Sequence, residues 1–248
     1  MDSPRCVAAD ARREEGYREA LGGERAALLL TDPPYCLLTR RRKGGDLRDP
    51  RDRKIDRDPV VRFESVRDYR AFTADWLPKA IAHCAAGAPL IIWTNLLGKE
   101  PILQVAREHG YGVLNGEFIW GKRTTEKNAN EYLLRVYEVA LVLTTAPLPE
   151  LSPADPPRVW SAVTGYDEGE GTLTGDHPHH KPFGSVEALV RQYSKPGEIV
   201  LDPFAGSGSI PAAAVRLRRK VACMELKPEW AARVTERLAA LDEAEEGQ

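Results

Sequence analysis

The sequence predicts an α/β fold, a mixed but parallel-rich sheet flanked by helices, and three observations predict it. Short, nearly continuous apolar runs recur along the chain, as in strands buried on both faces. Longer stretches with helical spacing fill the intervals between them. Two of the apolar runs end in the same dipeptide, at Asp32-Pro33 and at Asp202-Pro203.

Taken in order, Cys6–Ala9 is a short strand followed by Asp10, and Ala26–Thr31 is an apolar strand that stops at Asp32. Asp68–Cys84 places Phe72, Trp76, Leu77, Ala80 and Ile81 on one helical face. Leu90–Thr94 is a strand, and Pro101–His109 is a helix that tolerates Pro101 in its first turn. Phe118–Trp120 and Val136–Thr144 are further strands, and Ile199–Leu201 leads into Asp202. Ser209–Leu217 is a helix, Val221–Met224 a strand ending at Glu225, and Pro228–Leu241 a helix with Pro228 at its start.

Three stretches break this rhythm. Residues 36–62 carry a basic run: from Arg40 to Arg62 ten lysines and arginines face five aspartates. A solvated loop is the plain reading of such a run. Pro147–Pro157 is proline-rich and Gly165–Gly184 is glycine-rich, so residues 147–184 read as a small insertion or lid. The whole chain, 1–248, is expected to form one catalytic domain.

Composition narrows the function classes. Hydrophobic residues are 42% and charged residues 29%, which excludes a wholly disordered chain. No apolar run approaches the roughly 20 residues a membrane helix needs. With Asp2 and Arg5 at the start and no apolar leader, a soluble cytoplasmic protein is expected. Cys6, Cys36, Cys84 and Cys223 form no CxxC pair, and His177, His179 and His180 have no second ligand cluster, so no metal is expected.

Two motifs carry chemistry. In Asp202-Pro203-Phe204-Ala205-Gly206-Ser207-Gly208, a strand runs into two close glycines and then a helix of small residues. Gly206 and Gly208 permit positive backbone angles and close approach of a ligand, and the helix offers free amides. Glu225 ends the next strand, where a carboxylate can accept hydrogen bonds from both ribose hydroxyls of an adenosine cofactor. The alternative is a tight turn with Glu225 capping the following helix.

The second motif is Asp32-Pro33-Pro34-Tyr35. The prolines stiffen the chain and leave carbonyls free, so Asp32 and the Pro33 carbonyl can both face an exocyclic amino group. Tyr35 offers a flat face for a base, the equipment a flipped base requires. The alternative is a rigid turn with Tyr35 packed inward.

Together these motifs resemble the amino-group DNA methyltransferases that depend on S-adenosyl-L-methionine, in the permuted beta motif order, with a Rossmann-like methyltransferase-type sheet. Asp32–Tyr35 precedes His177-Pro178-His179-His180-Lys181-Pro182, which precedes the glycine loop and Glu225. The resemblance spans about residues 6–240. It implies Asp32, Pro33, Pro34 and Tyr35 as catalytic residues. For the donor it implies Asp10, Asp32, Lys181, Asp202, Pro203, Phe204, Gly206, Ser207, Gly208 and Glu225. Where relatives often show His-Glu, this chain has Tyr137-Glu138, and core packing is the reading for Tyr137.

The resemblance further implies double-stranded DNA with one base flipped as substrate, and adenine N6 as the target, since Asp opens the motif. Cytosine N4 is the alternative, followed by an RNA amino-methyltransferase and a catalytically silent nucleic-acid-binding module. Arg40, Arg41, Arg42, Lys43, Arg48, Arg51, Arg53 and Lys54 are expected to contact phosphates. The 147–184 insertion matches a target-recognition region, and a restriction-modification setting and a homodimer fit the family.

Overall fold

The computed structural model describes residues 4–39, 61–123, 137–148, 159–163, 181 and 183–246. Eight strands are seen among them: β1 (Cys6–Ala8), β2 (Leu28–Thr31), β3 (Leu90–Thr94), β4 (Val113–Arg123), β5 (Tyr137–Thr144), β6 (Val159–Val163), β7 (Ile199–Asp202) and β8 (Lys220–Glu225). They form one sheet in the order β1-β8-β7-β2-β3-β5-β4-β6. β5 is antiparallel to both neighbours, and the remaining pairs are parallel.

The helices are α1 (Glu14–Leu21), α2 (Val66–Ala82), α3 (Leu96–Glu108), α4 (Phe183–Tyr193), α5 (Ser209–Arg216) and α6 (Pro228–Glu246). Successive strand residues point to opposite faces. Leu29, Leu90, Ile92 and Leu201 therefore pack with Tyr17, Trp76 and Ile102 of α1–α3. Leu28, Leu30, Ile91 and Val200 pack on the other face with Val186, Leu189 and Ala213 of α4 and α5. Both faces are covered, which is why the strands read as unbroken apolar runs. Each fully buried Leu or Ile contributes about 1.5–3 kcal/mol, and Trp76→Ala would cost about 3–5 kcal/mol.

The structure corrects several sequence expectations. α3 starts at Leu96, ahead of Pro101, because Asn95 caps it: its side-chain oxygen accepts from the Gly98 N–H at 2.9 Å. Pro101 then lies inside the helix. β4 reaches from Val113 to Arg123, beyond the apolar Phe118–Trp120, since pairing with β5 and β6 sustains its polar residues. The apolar pattern predicts neither α1 nor α4. α1 has acids in its first turn and ends on Gly22 in the left-handed region, and α4 begins at Phe183 within the glycine-rich stretch. β6, from within the 147–184 insertion, extends the sheet edge beside β4.

Among the described residues no helix is long and apolar enough to cross a membrane, and no three His, Cys, Asp or Glu residues gather as metal ligands. His177, His179 and His180 lie outside the described residues.

Candidate active site

The carboxyl ends of the parallel strands share one edge of the sheet. Reading across it gives Asp10 after β1, Glu225 at the end of β8, Asp202 at the end of β7 and Asp32 after β2. β2 and β7 are neighbours in parallel register, Leu28 beside Val200 and Leu29 beside Leu201. The two motifs are therefore adjacent. A hydrogen bond ties them: the Thr31 hydroxyl donates to Asp202 Oδ1 at 2.7 Å.

On the glycine-loop side, Asp202 Oδ1 also accepts from the Phe204 N–H at 3.1 Å. Its other oxygen, Oδ2, is buried without a hydrogen-bond partner among the described residues. Burial pushes this carboxyl up to about 7, against the two hydrogen bonds. Pro203 and Ser207 are buried. Gly206 and Gly208 have φ of 51° and 80°, in the left-handed region that favours glycine. At Gly208 a Cβ would also sit 3.1 Å from the Val234 side chain, which would have to shift by a few tenths of an ångström to admit it.

The Glu225 carboxylate accepts from the Gly206 N–H and the Lys227 N–H, both at 3.0 Å. A carboxylate has about four acceptor positions, so two stay open for hydroxyls. Asp10 lies beyond the β1 end, where the Ala9 N–H donates to the Glu225 carbonyl at 3.0 Å. The Arg12 guanidinium beside Asp10, 2.7 Å from Oδ2, lowers its carboxyl. Phe204 turns toward α2, with its ring centroid 5.1 Å from Trp76 in an edge-on contact. This set suits an adenosine-bearing donor: two further acceptor positions at Glu225, a loop that turns through Gly206 and Gly208, and an oxygen of Asp202 that is buried and unpaired among the described residues.

On the other side, Asp32–Tyr35 leaves β2 without regular structure, with Pro33 buried and Pro34 half-buried. Asp32 Oδ1 is buried and has no hydrogen-bond partner among the described residues. Asp32 Oδ2 is ion-paired with Lys181 Nζ. Lys181 also pairs with Glu138 Oε2 at 3.1 Å, and the Tyr35 hydroxyl donates to that same oxygen at 2.8 Å. The Lys181 ammonium sits 5.2 Å from the Tyr35 ring centroid and 5.3 Å from that of Trp93, in cation–π range.

These contacts set the protonation states. Burial works against charge on Lys181, but Asp32 and Glu138 outweigh it and hold the ammonium above the usual lysine range. Burial pushes the Asp32 carboxyl up, with Lys181 pulling the other way. Burial and the neighbouring carboxylates keep the Tyr35 phenol protonated as a donor. Cys36, next to this motif, is buried and its thiol is pushed up by burial, the reverse of an activated nucleophile.

Asp10, Asp32, Tyr35, Asp202, Gly206, Gly208 and Glu225 thus fall on one edge. Lys181, expected at the cofactor rim, places its ammonium on Asp32 and Glu138. The motifs alone give no site role to Glu138, Thr31 or Trp93; for Glu138 the available signal is its match to the Glu of the His-Glu that relatives often show. The basic residues Arg40, Arg41, Arg42, Lys43, Arg48, Arg51, Arg53 and Lys54 lie outside the described residues, as does most of 147–184.

Comparisons with known proteins bear on the family and the fold. A family model described as DNA methylase, covering N6 and N4 methyltransferases, matches residues 26–236. The chain is 27% identical over 222 residues to the putative methylase YubD of Escherichia coli K12, spanning 90% of this chain and 86% of that one. A shorter match, 36% over 76 residues, covers 31% of this chain and 23% of the DNA adenine methyltransferase YhdJ of the same organism. Among solved structures, the M1.HpyAVI–SAM complex aligns with a TM-score of 0.67 at 18% identity, over 94% of this chain and 98% of that one. The cytosine-N4-specific PvuII DNA methyltransferase aligns with a TM-score of 0.67 at 16% identity, over 98% and 92%. Those two share the fold. By its motif order, its sheet and the family match over most of its length, the chain belongs to the N6/N4 DNA methylases, the S-adenosyl-L-methionine-dependent DNA methyltransferases of the N6-adenine or N4-cytosine type.

Proposed function

We propose that this protein methylates the exocyclic N6 of adenine flipped out of double-stranded DNA. The observation that carries the reading is Asp32 Oδ1, buried beside Tyr35 without a hydrogen-bond partner among the described residues and one hydrogen bond away from the glycine-loop strand. An amino nitrogen on a base is a poor nucleophile because its lone pair is delocalised into the ring. Asp32 Oδ1 and the Pro33 carbonyl accept its two hydrogens, which favours a pyramidal nitrogen and stabilises the positive charge that develops there. Tyr35 holds the ring plane, so much of the rate gain is positional.

When bound, S-adenosyl-L-methionine supplies a methyl group on a sulfonium, whose sulfur keeps the bonding pair as the new N–C bond forms. Glu225 and Asp10 would hold its adenosine portion. Asp202, Pro203, Phe204, Gly206, Ser207 and Gly208 would form the cradle, with Asp32 and Lys181 at the boundary with the base. The methylated nitrogen then loses a proton to water, so Asp32 need not be a strong base. Arg40–Lys54 is proposed to face the phosphates, and 147–184 to read the target.

Adenine is favoured by the Asp that opens Asp32–Tyr35 and by the match to YhdJ, named as an adenine methyltransferase. Cytosine N4 stays as the second reading because the PvuII enzyme, named for that atom, is as similar in fold as M1.HpyAVI. The test is incubation of the purified protein with labelled donor and DNA of mixed sequence, then nucleoside analysis. Label in N6-methyladenine is expected; label in N4-methylcytosine would replace the adenine reading.

A further inference from the structure

Glu138 contacts both members of the base pocket that flank Asp32, yet the mechanism above gives it nothing to do. It sits on β5, the strand that runs against its neighbours. Val139 pairs with Thr94 at the carboxyl end of β3, so the start of β5 lies on the same edge as Asp32. The reversal of this strand is what delivers an acid to that edge from its first residues rather than its last. Its side chain is 15% exposed, and one oxygen, Oε2, accepts from the Tyr35 hydroxyl and meets the Lys181 ammonium.

We propose that Glu138 is a positioning residue for methyl transfer, fixing the Tyr35 ring and sharing the Lys181 ammonium with Asp32. The inference rests on the methyltransferase reading of this site. Two prolines constrain the Tyr35 backbone, but the hydrogen bond to Glu138 anchors the far end of the side chain, on which the plane of a stacked base depends. Lys181 pairs with Asp32 Oδ2, on the same carboxyl group whose Oδ1 faces the base amino group in this reading. Without Glu138 the ammonium would pair with Asp32 alone and cancel its charge. With it, two acidic side chains share one ammonium, and the pocket keeps an excess of negative charge where the nitrogen becomes positive.

The test uses the full chain, the mapped DNA target and four variants: E138Q, E138A, Y35F and the double variant of E138A with Y35F. Steady-state turnover is read beside donor affinity and the fluorescence of DNA carrying an aminopurine analogue at or beside the target. E138Q keeps an acceptor for Tyr35 but loses the charge. It should lower kcat by roughly 10- to 100-fold, the range for removing a charge-assisted hydrogen bond, with donor affinity and the stacking signal unchanged. E138A should lower kcat further and also alter the stacking signal. Y35F removes the other end of the same bond, so its effect and that of E138A should be less than additive. Strictly additive effects, a kcat for E138A within about twofold of wild type, or a donor affinity that falls as far as kcat would each overturn the proposal. A wild-type protein that transfers no methyl group to DNA would overturn the underlying function, and this role with it.

Discussion

At the scale of single residues, Asp202 shows how burial tunes the site. Its Oδ1 is doubly hydrogen-bonded while Oδ2 is buried and unpaired among the described residues, and the carboxyl is pushed up to about 7 from an ordinary 3.8. Between those two values the folded chain binds more protons than the unfolded chain. The stability from this group is therefore complete below about pH 4 and is lost as pH rises through 7, a contribution on the order of a few kcal/mol. The thermal midpoint of the donor-free protein should fall between about pH 4 and pH 7, and Asp202→Asn should flatten that fall. Equal slopes in the two proteins would show that Asp202 does not titrate there. Asp32, Tyr35, Asp202 and Glu225 are legible in the sequence because each stands in a local motif at a strand end. Glu138 matches the Glu of the relatives' His-Glu, but its contact with Tyr35 comes from register: the two meet across β3, 103 positions apart in the chain.

Elements are legible where burial alone decides them. Leu90–Thr94 matches its strand to the residue, since all five side chains are buried between two helical layers. Boundaries set by polar contacts are harder to read. α3 begins where Asn95 both caps the helix and donates to the Cys36 carbonyl at 3.0 Å, a link to the loop after Tyr35 that no local pattern encodes. β6 is hidden by prolines and glycines on either side, and it exists through its pairing with β4. Between β2 and α2 runs the segment with Arg40–Arg42 and Lys43, whose DNA-facing role is an expectation from charge alone. Replacing those four by serine should weaken DNA binding and shallow its salt dependence by about 0.9 in log–log slope for each phosphate no longer neutralised. A titration of binding against salt checks this, and an unchanged slope would move the DNA face elsewhere.

For the molecule as a whole, the parallel strands bring four acids to one edge, and the single reversed strand adds a fifth from the opposite direction. Chain order therefore matters less than spatial order. Asp32–Tyr35 and the glycine loop are separated by most of the sequence, yet β2 and β7 are hydrogen-bonded neighbours. The net charge of -2 tells little about a DNA partner, because the positive charge is concentrated between Arg40 and Arg62 and the acids gather toward the C-terminus. The central claim is that these neighbours divide the work, one half holding the donor and the other presenting the amino nitrogen. Its most direct test is Asp32→Ala, with donor affinity and labelled methyl in the DNA measured on one preparation. Transfer should disappear while donor affinity stays within a few-fold of wild type; continued transfer at the wild-type rate would contradict the account.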